Sequence, residues 1–312
     1  MPDYIFRGED PIAQPAFRIL AYWPVALQDP VMSQGLVAIF DSFLQHHREA
    51  LAYTVVADEK RPMEGHEASD AGFADMRDWL ATAAKEWPAT ARTFGPISED
   101  TGQIVVPSFR VEQMADLSIM DISVPADPEQ AVPLANRVTE ILQGMPTLYA
   151  IMGMGFFLPT SLEELSYVFP RGSVRYKTAI EFMAEGPRWC LRQDIGNTFW
   201  DEMPEETDGI PDIGWRTIVG AHYLPRLGQV SIDAEGVTVD QSGAMLIVTA
   251  GAAPIWGDVN MGEDISAYRA VAEALAPARA SVRPMLNGLF GAQVDDPDGT
   301  DRVEAWYERF EA

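Results

Sequence analysis

One cysteine and four histidines are the side chains of this 312-residue sequence best suited to nucleophilic or metal chemistry. Cys190 lies between Trp189 and Leu191, an apolar setting that suits an inert core thiol better than an activated thiolate. His46 and His47 are adjacent, so on a helix they point about 100° apart and cannot chelate one ion together. His66 sits in the polar run Glu64-Gly65-His66-Glu67, and His222 stands between Ala221 and Tyr223 as a structural histidine would. No Gly-x-Ser-x-Gly elbow, His-Glu-x-x-His or paired Cys-x-x-Cys occurs. Gly153-Met154-Gly155 runs on into Phe156-Phe157-Leu158, which completes neither a dinucleotide fingerprint nor a P-loop. A pair of carboxylates could serve a glycosidase, but 47 acids offer no way to choose one. The expectation is a protein that is not an enzyme, with no cofactor and no metal.

Charge carries more information. Forty-seven acids against 22 bases give a net charge of −25 and a pI near 4.3. Such a field repels nucleic acid, whose binding depends on Lys and Arg neutralising phosphates. It attracts a basic partner and speeds encounter with it. The acids are also unevenly spread: between Arg192 and Arg269 the only bases are Arg216 and Arg226, against 13 acids. The densest run is Asp201, Glu202, Glu205, Glu206, Asp208 and Asp212, in a Pro- and Gly-punctuated stretch that reads as loop. Asp258, Glu263 and Asp264 form a second set, and Asp295, Asp296, Asp298 and Asp301 a third. None has the spacing of a calcium loop. The first two sets are the expected partner-binding residues.

These loops need a scaffold, and the chain has the material for one. Hydrophobic residues make up 47%, enough to offset the entropy of ordering. Phe17 to Trp23 reads as a strand ending at Pro24. Val31 to Arg48 is an amphipathic helix, and Ser69 caps another that runs to Ala84. Strands follow at Leu51–Ala57, Ile104–Val111 and Leu117–Val124. Pro128 or Pro133 opens a helix that stops at Gly144, Leu148–Leu158 is a buried strand, and Ser161 caps a helix at Leu162–Phe169. Ile213 to Leu224 is expected to be helical. Val237–Val239 and Ala244–Ala250 form strands about a Gln241-Ser242-Gly243 turn, and Ile265–Leu275 is a helix. The tail from Arg302 to Phe310 forms a last amphipathic turn or two. The order predicts an α+β fold of mixed or antiparallel sheets flanked by helices, in two similar-sized halves packed together, residues 1–171 and 172–312, with one continuous domain as the alternative. The apolar runs Leu148–Leu158 and Gly243–Trp256 are too short to span a bilayer. The N-terminus shows no secretory pattern, and a single Cys forms no internal disulfide, so a soluble cytoplasmic protein is expected.

One region is more specific. Gly214-Trp215-Arg216-Thr217-Ile218-Val219-Gly220 is followed by the apolar run Gly243-Ala244-Met245-Leu246-Ile247-Val248-Thr249-Ala250-Gly251, with Pro254 beyond. Then come Gly257-Asp258-Val259-Asn260, Tyr268-Arg269 and Leu275. Across Ile213 to Leu275 this order resembles the type VI secretion immunity family (TsiV-type), formerly a domain of unknown function. Its better-known members protect bacteria against VRR-Nuc nuclease effectors. The resemblance implies a cognate nuclease as partner, with the acidic chain standing in for phosphate in the toxin's basic cleft. It carries over no catalytic residue. Two other readings stay open: a scaffold protein of a secretion or phage system, and a hydrolase with an unrecognised carboxylate site.

Overall fold

In the computed structural model the described residues are 5–7, 10–24, 29–82, 89–97, 104–113, 117–157, 162–180, 209–280 and 305–311. They form two compact units: Ala16–Met152, and Pro2–Pro15 with Gly153–Ala312. Helices and antiparallel ladders occur in both, so the α+β expectation is borne out.

The strands are β1 (Ile5–Arg7), β2 (Asp10–Trp23), β3 (Tyr53–Ala57), β4 (Gly65–Glu67), β5 (Ala89–Phe94), β6 (Ser108–Gln113), β7 (Ser118–Pro125) and β8 (Tyr149–Phe157), with helices α1 (Pro30–His47), α2 (Asp70–Ala81), α3 (Pro128–Leu142) and α4 (Leu162–Arg175) among them. Then follow β9 (Arg216–Val219), α5 (Leu224–Leu227), β10 (Val237–Ser242), β11 (Met245–Ala250) and α6 (Ser266–Leu275).

In the first unit the strand order is β8-β2-β7-β6-β5-β3-β4. Alternation sorts the two faces of this sheet. On β6, Phe109 and Val111 are buried, while the alternating Arg110 and Glu112 are half-buried and paired with each other. Phe109 lies opposite Ile122 of β7 and Thr93 of β5. Its ring meets Phe40 at 5.0 Å and Phe43 at 5.6 Å, which seats α1 on that face. Met32, Leu36, Ile39, Phe40, Phe43 and Leu44 are all buried, at the i, i+3, i+4 spacing that puts them on one stripe. Each such aromatic contributes roughly 1.5–3 kcal/mol on burial.

The helix starts have local causes. Asp29 accepts the Val31 N–H at 2.7 Å before Pro30. Ser69 accepts from Gly72 at 3.1 Å, and Asp127 accepts from Glu129 at 3.0 Å before Pro128. These side chains satisfy N–H groups that the first turn leaves without partners. Of the two prolines that could open α3, Pro128 does so, and Pro133 lies inside the helix.

At the end of α1, His47 is buried, its ring 5.2 Å from Phe43. Burial, with His46 pushing the same way, holds the imidazole down at about 4. The folded state therefore prefers the neutral ring, whereas the unfolded chain takes up a proton below about pH 6.5. The stabilisation is complete above that pH and is lost as pH falls towards 4. Between about pH 7 and pH 5 the loss is expected to be about 1–2 kcal/mol. A His47→Phe variant, which keeps the ring and removes the proton site, should lose correspondingly less. Urea denaturation at the two pH values measures it, and an equal loss in both proteins would contradict the assignment.

In the second unit β10, β11, β9 and β8 are neighbours in that order. β10 pairs with β11 from Val237 opposite Ala250 to Ser242 opposite Met245, across a turn that contains Gly243. β9 pairs with β11 from Val219 opposite Leu246 to Arg216 opposite Thr249. This corrects the expected helix over Ile213–Leu224. Thr217, Ile218 and Val219 are consecutive β-branched residues, buried in the ladder, where such side chains pack well and lose little rotamer freedom. Helix returns only at α5.

Candidate functional site

Two arginine–carboxylate nodes organise the acidic part of the second unit. The first lies just beyond β11. The Trp215 indole N–H donates to the Gly251 carbonyl at 3.1 Å, and Ala250 N–H donates to the Trp215 carbonyl at 2.7 Å. The chain then buries Trp256 against Phe156 at 5.1 Å and Tyr176 at 5.5 Å. Gly257 follows with φ +60°, and a Cβ there would sit 2.8 Å from the Thr178 nitrogen. Both the backbone angle and the close approach require glycine.

Asp258 is the hub of the loop that follows. Its carboxylate accepts from Arg175 Nε at 3.0 Å and Nη2 at 2.7 Å, and from the Asn260 N–H at 2.9 Å. Its carbonyl accepts from Met261 and Glu263, and its own N–H donates to Glu263 Oε2 at 2.9 Å. The hydrogen bonds from Arg175 lead in holding the Asp258 carboxyl below its ordinary range, with the Asn260 N–H, the charge of Arg175 and the Met261 N–H adding to them against an opposing effect of burial. Asp264 closes the loop by accepting from Ser266 N and Oγ, both at 2.9 Å, at the start of α6. Those two bonds likewise lower its carboxyl.

The second node joins Asp212 to Arg309. The Arg309 side chain is 0% exposed, and each of its three nitrogens donates a hydrogen bond. Nη2 donates to Asp212 Oδ1, Nε to the Lys177 carbonyl at 2.7 Å, and Nη1 to the Trp306 carbonyl at 2.9 Å. The guanidinium also lies 3.6 Å from the Trp306 ring centroid and 4.3 Å from that of Phe310, a stacking geometry that favours Arg over Lys. Asp212 Oδ1 accepts the Ile213 N–H as well, at 2.8 Å.

The expected partner-binding residues therefore separate. Asp258, Glu263 and Asp264 share one loop, with Glu263 and Asp264 exposed and Asp258 buried beside Arg175. Asp212 is buried in the second node. Asp201, Glu202, Glu205, Glu206 and Asp208 lie outside the described residues, as do Cys190 and the Asp295–Asp301 set. Neither Arg175 nor Arg309 was indicated by sequence spacing, for they lie 83 and 97 positions from their carboxylates. The scarcity of bases between Arg192 and Arg269 gave no pointer to either, since both arginines lie outside that stretch.

Chemically, the loop is suited to recognition. The buried carboxylate, Asp258, is neutralised by an arginine, and the exposed pair is fixed by backbone N–H or hydroxyl groups. Among the described residues no group of three His, Cys, Asp or Glu side chains is placed to hold a metal ion. None of their helices is long and apolar enough to cross a membrane.

Comparison with known proteins supports the family resemblance. Residues 191–310 match the TsiV family, described as type VI immunity for VRR-NUC. No curated protein matches the chain. Among solved structures, the Pseudomonas aeruginosa T6SS protein PA0821 superimposes with a TM-score of 0.71 at 15% identity, over 99% of this chain and 87% of that one. At that identity the likeness concerns the fold.

Proposed function

We propose, from the TsiV match over residues 191–310, that this chain is an immunity protein that binds and neutralises a cognate type VI-secreted nuclease. The observation that carries the reading is that match, which coincides with the most acidic part of a chain of net charge −25. A nuclease holds its substrate by neutralising phosphates with basic side chains. An acidic protein that fills the same cleft replaces the phosphates and excludes DNA. Asp201, Glu202, Glu205, Glu206 and Asp208, with Glu263 and Asp264, are the proposed contact acids. Asp212 and Asp258 serve by holding their segments in place. The protein meets the toxin in the cytoplasm, where the DNA is, and performs no catalysis itself. The test is DNA cleavage by the effector encoded beside this gene, followed as the chain is added.

A further inference from the structure

The Asp258 loop presents two large apolar side chains to solvent. Met261 is 74% exposed and Val259 49%, and they stand two residues apart in a loop whose backbone is pinned. Val259 N–H donates to the Arg175 carbonyl at 3.1 Å, and Met261 N–H to the Asp258 carbonyl at 3.0 Å. Gly257 at φ +60° and Gly262 at φ +65° bracket the loop. Glu263 and Asp264, both exposed, follow at once.

Exposing a methionine and a valine costs hydrophobic free energy, and holding them on an ordered loop costs entropy as well. The core of this unit does not need them. The arrangement matches the anatomy of a protein-binding hot spot, in which an apolar anchor stands beside a polar rim that excludes water. A loop already fixed in shape gives up little entropy on binding, and methionine adapts to an irregular socket.

We infer that Val259 and Met261 are the apolar anchor of this surface, and that they seat in an apolar socket with a basic rim on the cognate nuclease. The inference rests on the immunity reading. Charge complementarity selects the occupant, since Glu263 and Asp264 border the anchor and need a basic surface opposite them. A second copy of the chain would bring another −25 charges to the same place, and repulsion disfavours it. Acids in this design govern encounter, and the apolar pair governs how long the complex lasts.

The experiment uses the full chain and the nuclease domain encoded beside this gene, inactivated at its catalytic site. Wild type, a Val259→Ser/Met261→Ser double variant and a Met63→Ser control are compared by surface plasmon resonance and thermal melting. Met63 is 76% exposed and belongs to the other unit. The double variant should dissociate about 10- to 100-fold faster, with an unchanged association rate, salt dependence and melting temperature. Met63→Ser should match wild type. If wild type binds and the double variant dissociates no faster, the anchor is wrong while the immunity reading stands. If wild type does not bind the nuclease, the reading fails and takes the anchor with it. Concentration-dependent self-association of wild type, abolished in the double variant, would identify a second copy as the occupant and overturn the assignment.

Discussion

Asp212→Asn is expected to destabilise the protein by about 3–5 kcal/mol, the cost of leaving a buried charge without its partner. Arg309 has no exposed side-chain surface, so water cannot replace the lost carboxylate. Asn keeps the shape of Asp and can still accept the Ile213 N–H, which isolates charge from packing. In a unit of this size the change lowers the melting temperature by roughly 10 °C or more. Adding Arg309→Met should recover part of the loss, because removing both charges leaves no unpaired ion. Methionine cannot replace the stacking on Trp306 or the bonds to two carbonyls, so recovery stays incomplete. Urea denaturation of the two single variants and the double variant measures the coupling. A loss below about 1 kcal/mol in Asp212→Asn would show that the pair contributes no more than an exposed one. The pair joins two positions of the segment, residues 191–310, that matches the immunity family.

The second large effect is kinetic. Glu202→Gln, Glu205→Gln, Glu206→Gln and Asp208→Asn together remove four negative charges from the most acidic run. Association with the nuclease domain at low salt should slow by about tenfold, and its decline with added salt should become shallower. A single exposed charge contributes about 1 kcal/mol or less, so the combined variant is the informative one. Stopped-flow mixing across a salt series gives the rates, and a thermal melt checks the fold. An unchanged rate and salt slope in a folded quadruple variant would place the contact acids elsewhere.

What could be read from the sequence was mostly local. Ser69 announced one helix start and Pro128 offered another, because caps and first-turn prolines act within a few residues; Asp29 and Asp127, which cap α1 and α3, were not singled out. The apolar stripe of Leu36, Ile39, Phe40, Phe43 and Leu44 was legible for the same reason, but Val31, expected on it, is exposed and Met32 is buried instead. β5 was missed: Ala89-Thr90-Ala91-Arg92-Thr93-Phe94 carries one aromatic and no aliphatic run, and its strand state comes from pairing with β3 and β6. Ile213–Leu224 was misread because helix and strand both tolerate a short apolar run, and the neighbour that decides, β11, lies some 30 residues on. The family resemblance was legible in Gly214 to Gly220 and Gly257 to Asn260, where close packing and turns restrict residue type. The concentration of acids was legible too. Which of them the fold neutralises internally was not, since Arg175 and Arg309 reach Asp258 and Asp212 only through tertiary structure. Nor does a sequence distinguish Val259 and Met261 from core residues, because their exposure follows from the way Asp258 turns the loop.

Titration decides whether this chain neutralises a nuclease by binding it. Plasmid DNA is incubated with a fixed amount of the proposed cognate VRR-NUC effector domain, and the chain is added in increasing amounts. Cleavage should fall in proportion to added chain, cease at a fixed molar ratio, and return in part when salt weakens the association. Undiminished cleavage at a large molar excess of folded chain would contradict the immunity reading.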